Sequence, residues 1–120
     1  MNVKPVSKEK RKAAEAIREI RRRVGEFELV CSGTLLRRYK TCGRSSCRCA
    51  RDPDARHGPY YEWSRLENGR LAHTTLSTQE GQQMAQAIRN YRRLRRLTRV
   101  WERASLSIIK DRSTPLGALR

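Results

Sequence analysis

The chain of 120 residues contains few of the residues that build a large hydrophobic core. Apolar residues make up 37% and aromatic residues 6% of the sequence, whereas typical globular domains are roughly 45–50% apolar. We therefore expect a single small domain without an enclosed substrate pocket. The first residues carry charge and lack a long apolar run, so we expect neither a signal peptide nor a membrane span.

Acidic residues are scarce as well. The 12 Asp and Glu residues are outnumbered by 28 Lys and Arg residues, which gives a net charge of +16. The excess falls in residues 1–30, 31–58 and 77–120, while residues 59–76 are balanced. Such a spread indicates basic surfaces on a folded protein and predicts a polyanionic partner, most often nucleic acid. We expect a cytoplasmic, nucleoid-associated protein without membrane contact.

The common catalytic motifs are absent from the sequence. It has no phosphate-binding glycine loop, no nucleophile elbow and no paired carboxylates on a regular element. Asp52 and Asp54 could bind a hard metal for nuclease chemistry, but they flank Pro53, where Asp commonly forms turns. A cysteine could also serve a thiol enzyme. We nevertheless predict that the protein is not an enzyme.

Two segments show the alternating spacing of three and four residues that is typical of amphipathic helices. The first helix is predicted over residues 7–31, with Ser7 as N-cap. Its apolar stripe consists of Ala13, Ile17, Ile20, Val24 and Phe27. The second is predicted over residues 77–112 and begins with the capping box Ser77-Thr78-Gln79-Glu80. Its stripe consists of Met84, Ala87, Tyr91, Leu94, Thr98, Trp101, Ser105 and Ile108.

These helices are expected to pack antiparallel, as in a coiled coil. Because Thr98 and Ser105 weaken the seam, a homodimer through the same seam is the alternative. Residues 1–6 and 113–120 are predicted to be flexible termini.

Residues 33–76 are predicted to form a Cys/His loop and a small β-hairpin, which makes the fold class α+β. Asn68-Gly69 lies between two β-rich runs, and this pair is a strong hairpin signal. A two-residue turn there pairs Leu66 with Leu71, Trp63 with Thr74 and Tyr61 with Leu76. The face that carries Tyr61, Trp63, Ala72 and Leu76 should pack on the helices. Residues 34–41 are predicted to be a short extended piece.

Three cysteines and a histidine are concentrated in residues 42–58, which we call the Cys/His loop. Cys42, Cys47, Cys49 and His57 are of the residue types that a structural zinc ion prefers, and four ligands complete a tetrahedral site. The loop has almost no apolar side chains, and metal binding would supply the missing folding energy. We predict a zinc knuckle. Cys31 could replace His57 as the fourth ligand, and His73 is a more distant candidate; free thiols and a redox disulfide are the alternatives.

The segments Gly33-Thr34-Leu35, Arg38-Tyr39, Cys42-Gly43, Cys47-Arg48-Cys49 and His57-Gly58-Pro59-Tyr60-Tyr61 form a combined pattern. The pattern resembles a family of short uncharacterised bacterial proteins whose core reads CGxxxCxC…HGPYY. A basic helix follows in that family, as Asn90-Tyr91-Arg92 does here. Its members are often encoded beside transposases, so the resemblance implies a shared fold and a mobile-DNA setting, and it implies no catalytic residue.

Arginine dominates the basic residues, and it contacts phosphate and guanine through two hydrogen bonds at once. The predicted contacts to nucleic acid come from the second helix and from the region around the Cys/His loop: Arg37, Arg38, Arg44, Arg48, Arg89, Arg92, Arg93, Arg96, Arg99 and Arg103. Tyr60, Tyr61 and Trp63 could stack on unpaired bases, although core packing is the simpler expectation.

The sequence therefore predicts a zinc-stabilised protein that binds duplex DNA and assists the transposase or recombinase of a mobile element. Two alternatives stay open. One is an RNA-binding module, and the other is a subunit that docks on an acidic protein.

Overall fold

The computed structural model describes residues 5–112 and confirms the α+β class. Its elements are α1 (Lys8–Val24), β1 (Thr34–Lys40), β2 (His57–Glu67), β3 (Arg70–Leu76) and α2 (Thr78–Lys110). Two short 3₁₀ turns, Arg48–Ala50 and Pro53–Ala55, lie between β1 and β2. Residues 1–4 of the predicted flexible N-terminus and the whole predicted tail 113–120 lie outside the described residues. Within residues 5–112, no helix has the length and hydropathy that a membrane span requires.

The chain forms two compact units. Of the described residues, the first unit comprises 5–28 and 92–112, and the second comprises 29–91. The second unit contains the whole sheet and every residue of the Cys/His loop.

The first unit contains α1 and the last turns of α2. As predicted, Ser7 caps α1, because its Oγ accepts a hydrogen bond from the backbone N–H of Lys10 at 3.0 Å. The Ser7 hydroxyl in turn donates to the Asp111 carboxylate. A small cluster of buried side chains forms the core of this unit and consists of Ala13, Ala14, Ala104 and Ile108, with Ile17 beside it. The antiparallel packing of the two helices along their length stays a prediction.

The predicted first helix is too long, because α1 ends at Val24 and does not reach residue 31. Gly25 is the C-cap, and its N–H bonds back to the Arg21 carbonyl at 3.2 Å. Glycine destabilises a helix because it loses more backbone entropy than other residues on folding. The helix therefore ends before Gly25, and the residues after it are not helical. Phe27 therefore does not belong to the helical stripe. Its ring lies below the Arg93 guanidinium, 5.3 Å from the ring centre.

The second unit is built on an antiparallel sheet in the order β1-β2-β3. The predicted hairpin is confirmed, with Leu66 opposite Leu71, Trp63 opposite Thr74 and Tyr61 opposite Leu76. Its turn residues Asn68 and Gly69 have φ values of 51° and 77°, as this tight turn requires.

The predicted short extended piece turns out to be a full strand, β1, paired with β2. The local pattern of residues 34–41 could not show this pairing, because the two strands are separated by the long Cys/His loop.

The two faces of the sheet differ in burial. Tyr61 and Trp63 lie on an inner face, where the Trp63 indole donates to the Ser32 carbonyl at 2.7 Å. Leu76 on the same face is buried, and the Tyr61 ring lies directly against Gly81 in the second turn of α2. The predicted packing of this face on a helix is thus observed at Tyr61. The capping box that begins α2 is also confirmed, because Ser77 Oγ accepts from Glu80 N–H and Glu80 Oε1 accepts from Ser77 N–H.

The contact between Gly81 and Tyr61 makes Gly81→Ala a test of the sheet–helix packing. A Cβ at this position would overlap the Tyr61 ring. Overpacking costs about 1–3 kcal/mol, and alanine gains roughly 1 kcal/mol in helix propensity. We expect a net loss of up to about 2 kcal/mol in the free energy of unfolding, measured by urea denaturation. Gly25→Ala is the control, because its φ is −66° and a Cβ there would lie 3.4 Å from the nearest atom. Equal stability of the two variants would contradict the packing.

Candidate metal centre and basic surface

Cys42, Cys47, Cys49 and His57 converge at one end of the sheet. Their ligand atoms all lie within 4.8 Å of one another. Cys42 Sγ is 3.6 Å from Cys49 Sγ, and Cys47 Sγ is 3.4 Å from His57 Nε2. The four residues are therefore close enough to hold one metal ion.

The fold brings these residues together in two steps. First, the pairing of β1 with β2 places Lys40 opposite His57, so Cys42 follows β1 close to the first residue of β2. Second, a turn closed by the Cys47 N–H on the Arg44 carbonyl, followed by the 3₁₀ turn Arg48–Ala50, brings Cys47 and Cys49 back towards Cys42. The Cys42 N–H then donates to Cys49 Sγ at 3.4 Å.

The donor set fits a tetrahedral metal ion. Two sulfurs bonded to zinc at about 2.3 Å would lie about 3.7 Å apart. A sulfur and a nitrogen bonded to the same ion would lie slightly closer together, because the zinc–nitrogen bond is shorter. The observed separations of 3.6 and 3.4 Å are of this size. Cys49 is buried with 3% of its surface exposed, whereas Cys42 is exposed. The cluster is thus anchored on its inner side and open to solvent on the other.

The thiols perturb one another electrostatically. The pKa of Cys47 is lowered, first by the Cys49 N–H that bonds its sulfur and then by the Cys49 and Cys42 thiols. For Cys49, the Cys42 N–H acts to lower the pKa, but burial and the two neighbouring thiols outweigh it, so the pKa is raised. The lowered pKa favours the thiolate form of Cys47, which is the form that binds a metal ion.

Two other predicted candidates lie apart from this cluster. Cys31 precedes β1, and its N–H donates to the Ala87 carbonyl of α2 at 3.1 Å. His73 lies on β3, where Nδ1 is 2.7 Å from Ser64 Oγ. Neither belongs to the group of close ligand atoms, whereas His57 does. Asp52, considered above for a hard metal, caps the second 3₁₀ turn through the Asp54 N–H at 2.9 Å and so acts as a turn former.

The ten arginines predicted to contact nucleic acid are all exposed. They occupy three places: Arg37 and Arg38 lie on β1, Arg44 and Arg48 lie in the Cys/His loop, and Arg89, Arg92, Arg93, Arg96, Arg99 and Arg103 lie on α2. Arg48 pairs with Asp52 at 3.1 Å, and Arg38 approaches Glu62 at 3.9 Å. None of the other eight has a carboxylate within 4.0 Å among residues 5–112.

The arginines near the end of α1 behave differently. Arg22 bonds Glu19 at 2.6 Å and Glu26 at 2.7 Å, and Arg23 bonds Glu19 at 3.1 Å. Hydrogen bonds from Arg22 and Arg23 lower the pKa of Glu19 to about 2, so these pairs persist at neutral pH. Arg22 and Arg23 are thus paired with nearby carboxylates, whereas the six α2 arginines named above have no carboxylate within 4.0 Å among residues 5–112.

Two features of the second unit were missed by sequence reasoning. Asn90, part of the Asn90-Tyr91-Arg92 pattern, is buried, and its side-chain amide donates to the Leu29 carbonyl at 2.9 Å. It fixes the segment before β1 to α2. Glu62 lies between Arg38 and Lys40 on the sheet, at 3.9 and 3.6 Å. The alternation of residues along β2 places Glu62 on the face opposite Tyr61. Its neighbours Arg38 and Lys40 could not be predicted, because they lie on β1, whose pairing with β2 was not predicted.

The fold and the site define a small α+β protein with a three-stranded antiparallel sheet and a metal-ligand cluster of three cysteines and one histidine. The model of a family described as a domain of unknown function (DUF6788) matches residues 8–86, and the chain belongs to this family. No curated protein and no solved structure matches the chain.

Proposed function

We propose that this protein is a zinc-stabilised protein that binds duplex DNA. The observation that carries the proposal is the row of arginines on α2, which is exposed and has no carboxylate partner among residues 5–112. Arginines that have no carboxylate partner among residues 5–112, in a protein of net charge +16, favour a polyanion. At about 100° of rotation per residue, the six positions fall on one side of the helix, as contact with a phosphate backbone requires.

Zinc is the metal that the donor set favours. Thiolate and imidazole ligands in tetrahedral array are typical of structural zinc sites, and the four ligands leave no position for substrate. In this proposal the ion holds the Cys/His loop against the sheet and keeps Arg44 and Arg48 in place. The proposal includes no catalytic step.

The proposal includes a biological setting. The resemblance noted above favours an accessory role beside the transposase or recombinase of a bacterial mobile element. Antiparallel packing of α1 and α2 is part of the proposed architecture, and it is supported by the buried cluster that Ala13 and Ala14 form with Ala104 and Ile108. A homodimer is the alternative arrangement, and the exposed Leu106 and Ile109 near the end of α2 are consistent with it.

Competition binding tests the proposal directly. Full-length protein loaded with zinc is offered labelled duplex DNA against unlabelled duplex, single-stranded DNA and structured RNA, over a salt series from about 0.05 to 0.3 M. We expect duplex DNA to compete best and log K to fall linearly with log salt, with a slope that reports the number of phosphates contacted.

Each other outcome points to a different class of partner. Preference for structured RNA would support the RNA-binding alternative and contradict the proposal. Binding that is absent at low salt, or that does not respond to salt, would favour an acidic protein partner.

A further inference from the structure

The sheet has an outer face on the side opposite Tyr61 and Trp63. Residues paired across strands share a face. The pairing therefore places Leu36 beside Glu62 and Thr75, and Arg38 beside Tyr60. We call this set, together with His73, the outer sheet face: Leu36, Arg38, Tyr60, Glu62, His73 and Thr75.

Exposure separates this face from the inner one. Leu36 is 48% and Tyr60 is 39% exposed, whereas Leu76 on the inner face is 9% exposed. Leu36 and Tyr60 are thus accessible to a ligand on the same face as the cationic Arg38.

The charges of the outer sheet face favour an anionic ligand. Its single carboxylate, Glu62, is surrounded by cationic or potentially cationic groups, with Arg38 at 3.9 Å, Lys40 at 3.6 Å and His73 at 3.4 Å. The side chain of Glu62 is only 14% exposed, while those of Arg38 and Lys40 are 51% and 43% exposed. Glu62 therefore lies beneath Arg38 and Lys40 and acts as a positioning residue for them. The hydrogen-bond donors of this face that reach solvent are positively charged.

Two neighbouring strands of the sheet match the major groove of DNA. The groove is about 12 Å wide and admits a two-stranded β-ribbon, and neighbouring strands lie about 4.8 Å apart. Leu36 and Arg38 lie on β1, at the edge of the sheet and next to β2. Strands are known to present side chains to base edges in this groove. Arginine pairs with guanine O6 and N7 there, and an apolar side chain contacts the thymine methyl group.

Single-stranded nucleic acid fits this face less well. Stacking platforms for unpaired bases use several exposed aromatic rings. Of the three aromatic residues on β2, Tyr61 and Trp63 lie on the inner face, which leaves Tyr60 alone on the outer one. The arrangement thus favours groove contacts over base stacking.

From these observations we infer that the outer sheet face reads base edges in the major groove of duplex DNA, with Arg38 and Leu36 as its main contacts. The inference rests on the proposed function, and it assigns affinity and sequence preference to two different surfaces. The α2 arginines contact phosphates without regard to sequence, and the outer sheet face supplies sequence preference.

A selection experiment with a matched pair of variants tests this inference. The zinc-loaded full chain first selects preferred duplexes from a random pool. Affinities for the selected duplex and for a scrambled duplex of equal composition are then measured for the wild type, Arg38→Gln and Arg37→Gln. Arg37 is adjacent to Arg38 and carries the same charge, but it pairs with Tyr61 and so belongs to the inner face.

We expect Arg38→Gln to reduce the preference for the selected duplex by about tenfold or more. Arg37→Gln should weaken both duplexes slightly and equally, because it removes one charge and no base contact. Leu36→Ser, which leaves the charge unchanged, should also reduce the preference. Circular dichroism confirms the fold of each variant. Replacing the guanines of the selected site by 7-deazaguanine should weaken the wild type more than Arg38→Gln.

Three outcomes would overturn the inference while leaving the proposed function standing. They are a pool that shows no enrichment, an equal loss of preference in Arg37→Gln and Arg38→Gln, and a wild type that is insensitive to 7-deazaguanine. Absence of binding to every duplex at low salt would overturn the proposed function, and this inference with it.

Discussion

Replacing Cys47 by serine is expected to abolish metal binding and to unfold the Cys/His loop. Cys47 contributes the thiol with the lowered pKa and lies 3.4 Å from His57 Nε2. A structural site needs four ligands, and binding free energies of about 10–16 kcal/mol for such zinc sites become folding free energy. Elemental analysis of protein purified without chelator should give about one zinc per chain for the wild type and almost none for Cys47→Ser.

Cys31→Ser is the matched control for this experiment. It removes the same chemical group, but Cys31 lies outside the cluster and meets α2 through its backbone. We expect it to retain the full zinc content. The loop can be followed separately by limited proteolysis, because it contains several arginines and should become sensitive to trypsin in Cys47→Ser only. A wild type that is metal-free and resistant to trypsin would refute the metal centre.

The fourth ligand of the cluster is a feature that the sequence alone could not determine. Three cysteines and a histidine in a loop with few apolar residues were sufficient to predict a cluster of metal ligands, and Cys31 and His57 both stayed open as its fourth member. The choice depends on β1, because its pairing with β2 places Lys40 opposite His57 and brings Cys42 to the same place. That pairing joins residues separated by a long loop, so no local pattern in the sequence reveals it.

Local signals, in contrast, predicted local structure well. The Ser7 cap, the capping box at Ser77 and the Asn68-Gly69 turn each depend on residues within about four positions of one another. All three are observed. The end of α1 was predicted wrongly because Phe27 continued the apolar spacing beyond Gly25. Its ring instead packs under Arg93, a contact from a distant part of the chain.

For the basic residues, too, the structure shows differences that the composition does not. Composition predicts that a protein with 28 basic residues meets a polyanion, but it treats every arginine alike. The structure separates arginines that are paired within α1 from those on α2 that have no carboxylate nearby in residues 5–112. Spacing of Glu and Arg at three and four residues along α1 was the available signal for this difference.

The double variant Arg96→Gln, Arg99→Gln is expected to produce the largest loss of DNA affinity. Each arginine that contacts a phosphate contributes a slope of about −0.9 to the salt dependence of log K. Removing two such contacts should reduce the magnitude of the slope by about 2 and weaken binding by roughly 10- to 100-fold at about 0.1 M salt. Fluorescence anisotropy with a labelled duplex over a salt series measures both quantities.

Arg22→Gln, Arg23→Gln lowers the net charge by the same amount and is the matched control. These arginines already bond Glu19 and Glu26, so their replacement removes little charge that DNA could use. These pairs are exposed to solvent and contribute little to the stability of the helix, so the variant should stay folded. We expect its salt slope to remain close to that of the wild type. Equal effects of the two double variants would mean that net charge alone determines binding, and the assignment of the phosphate contacts to α2 would then be wrong.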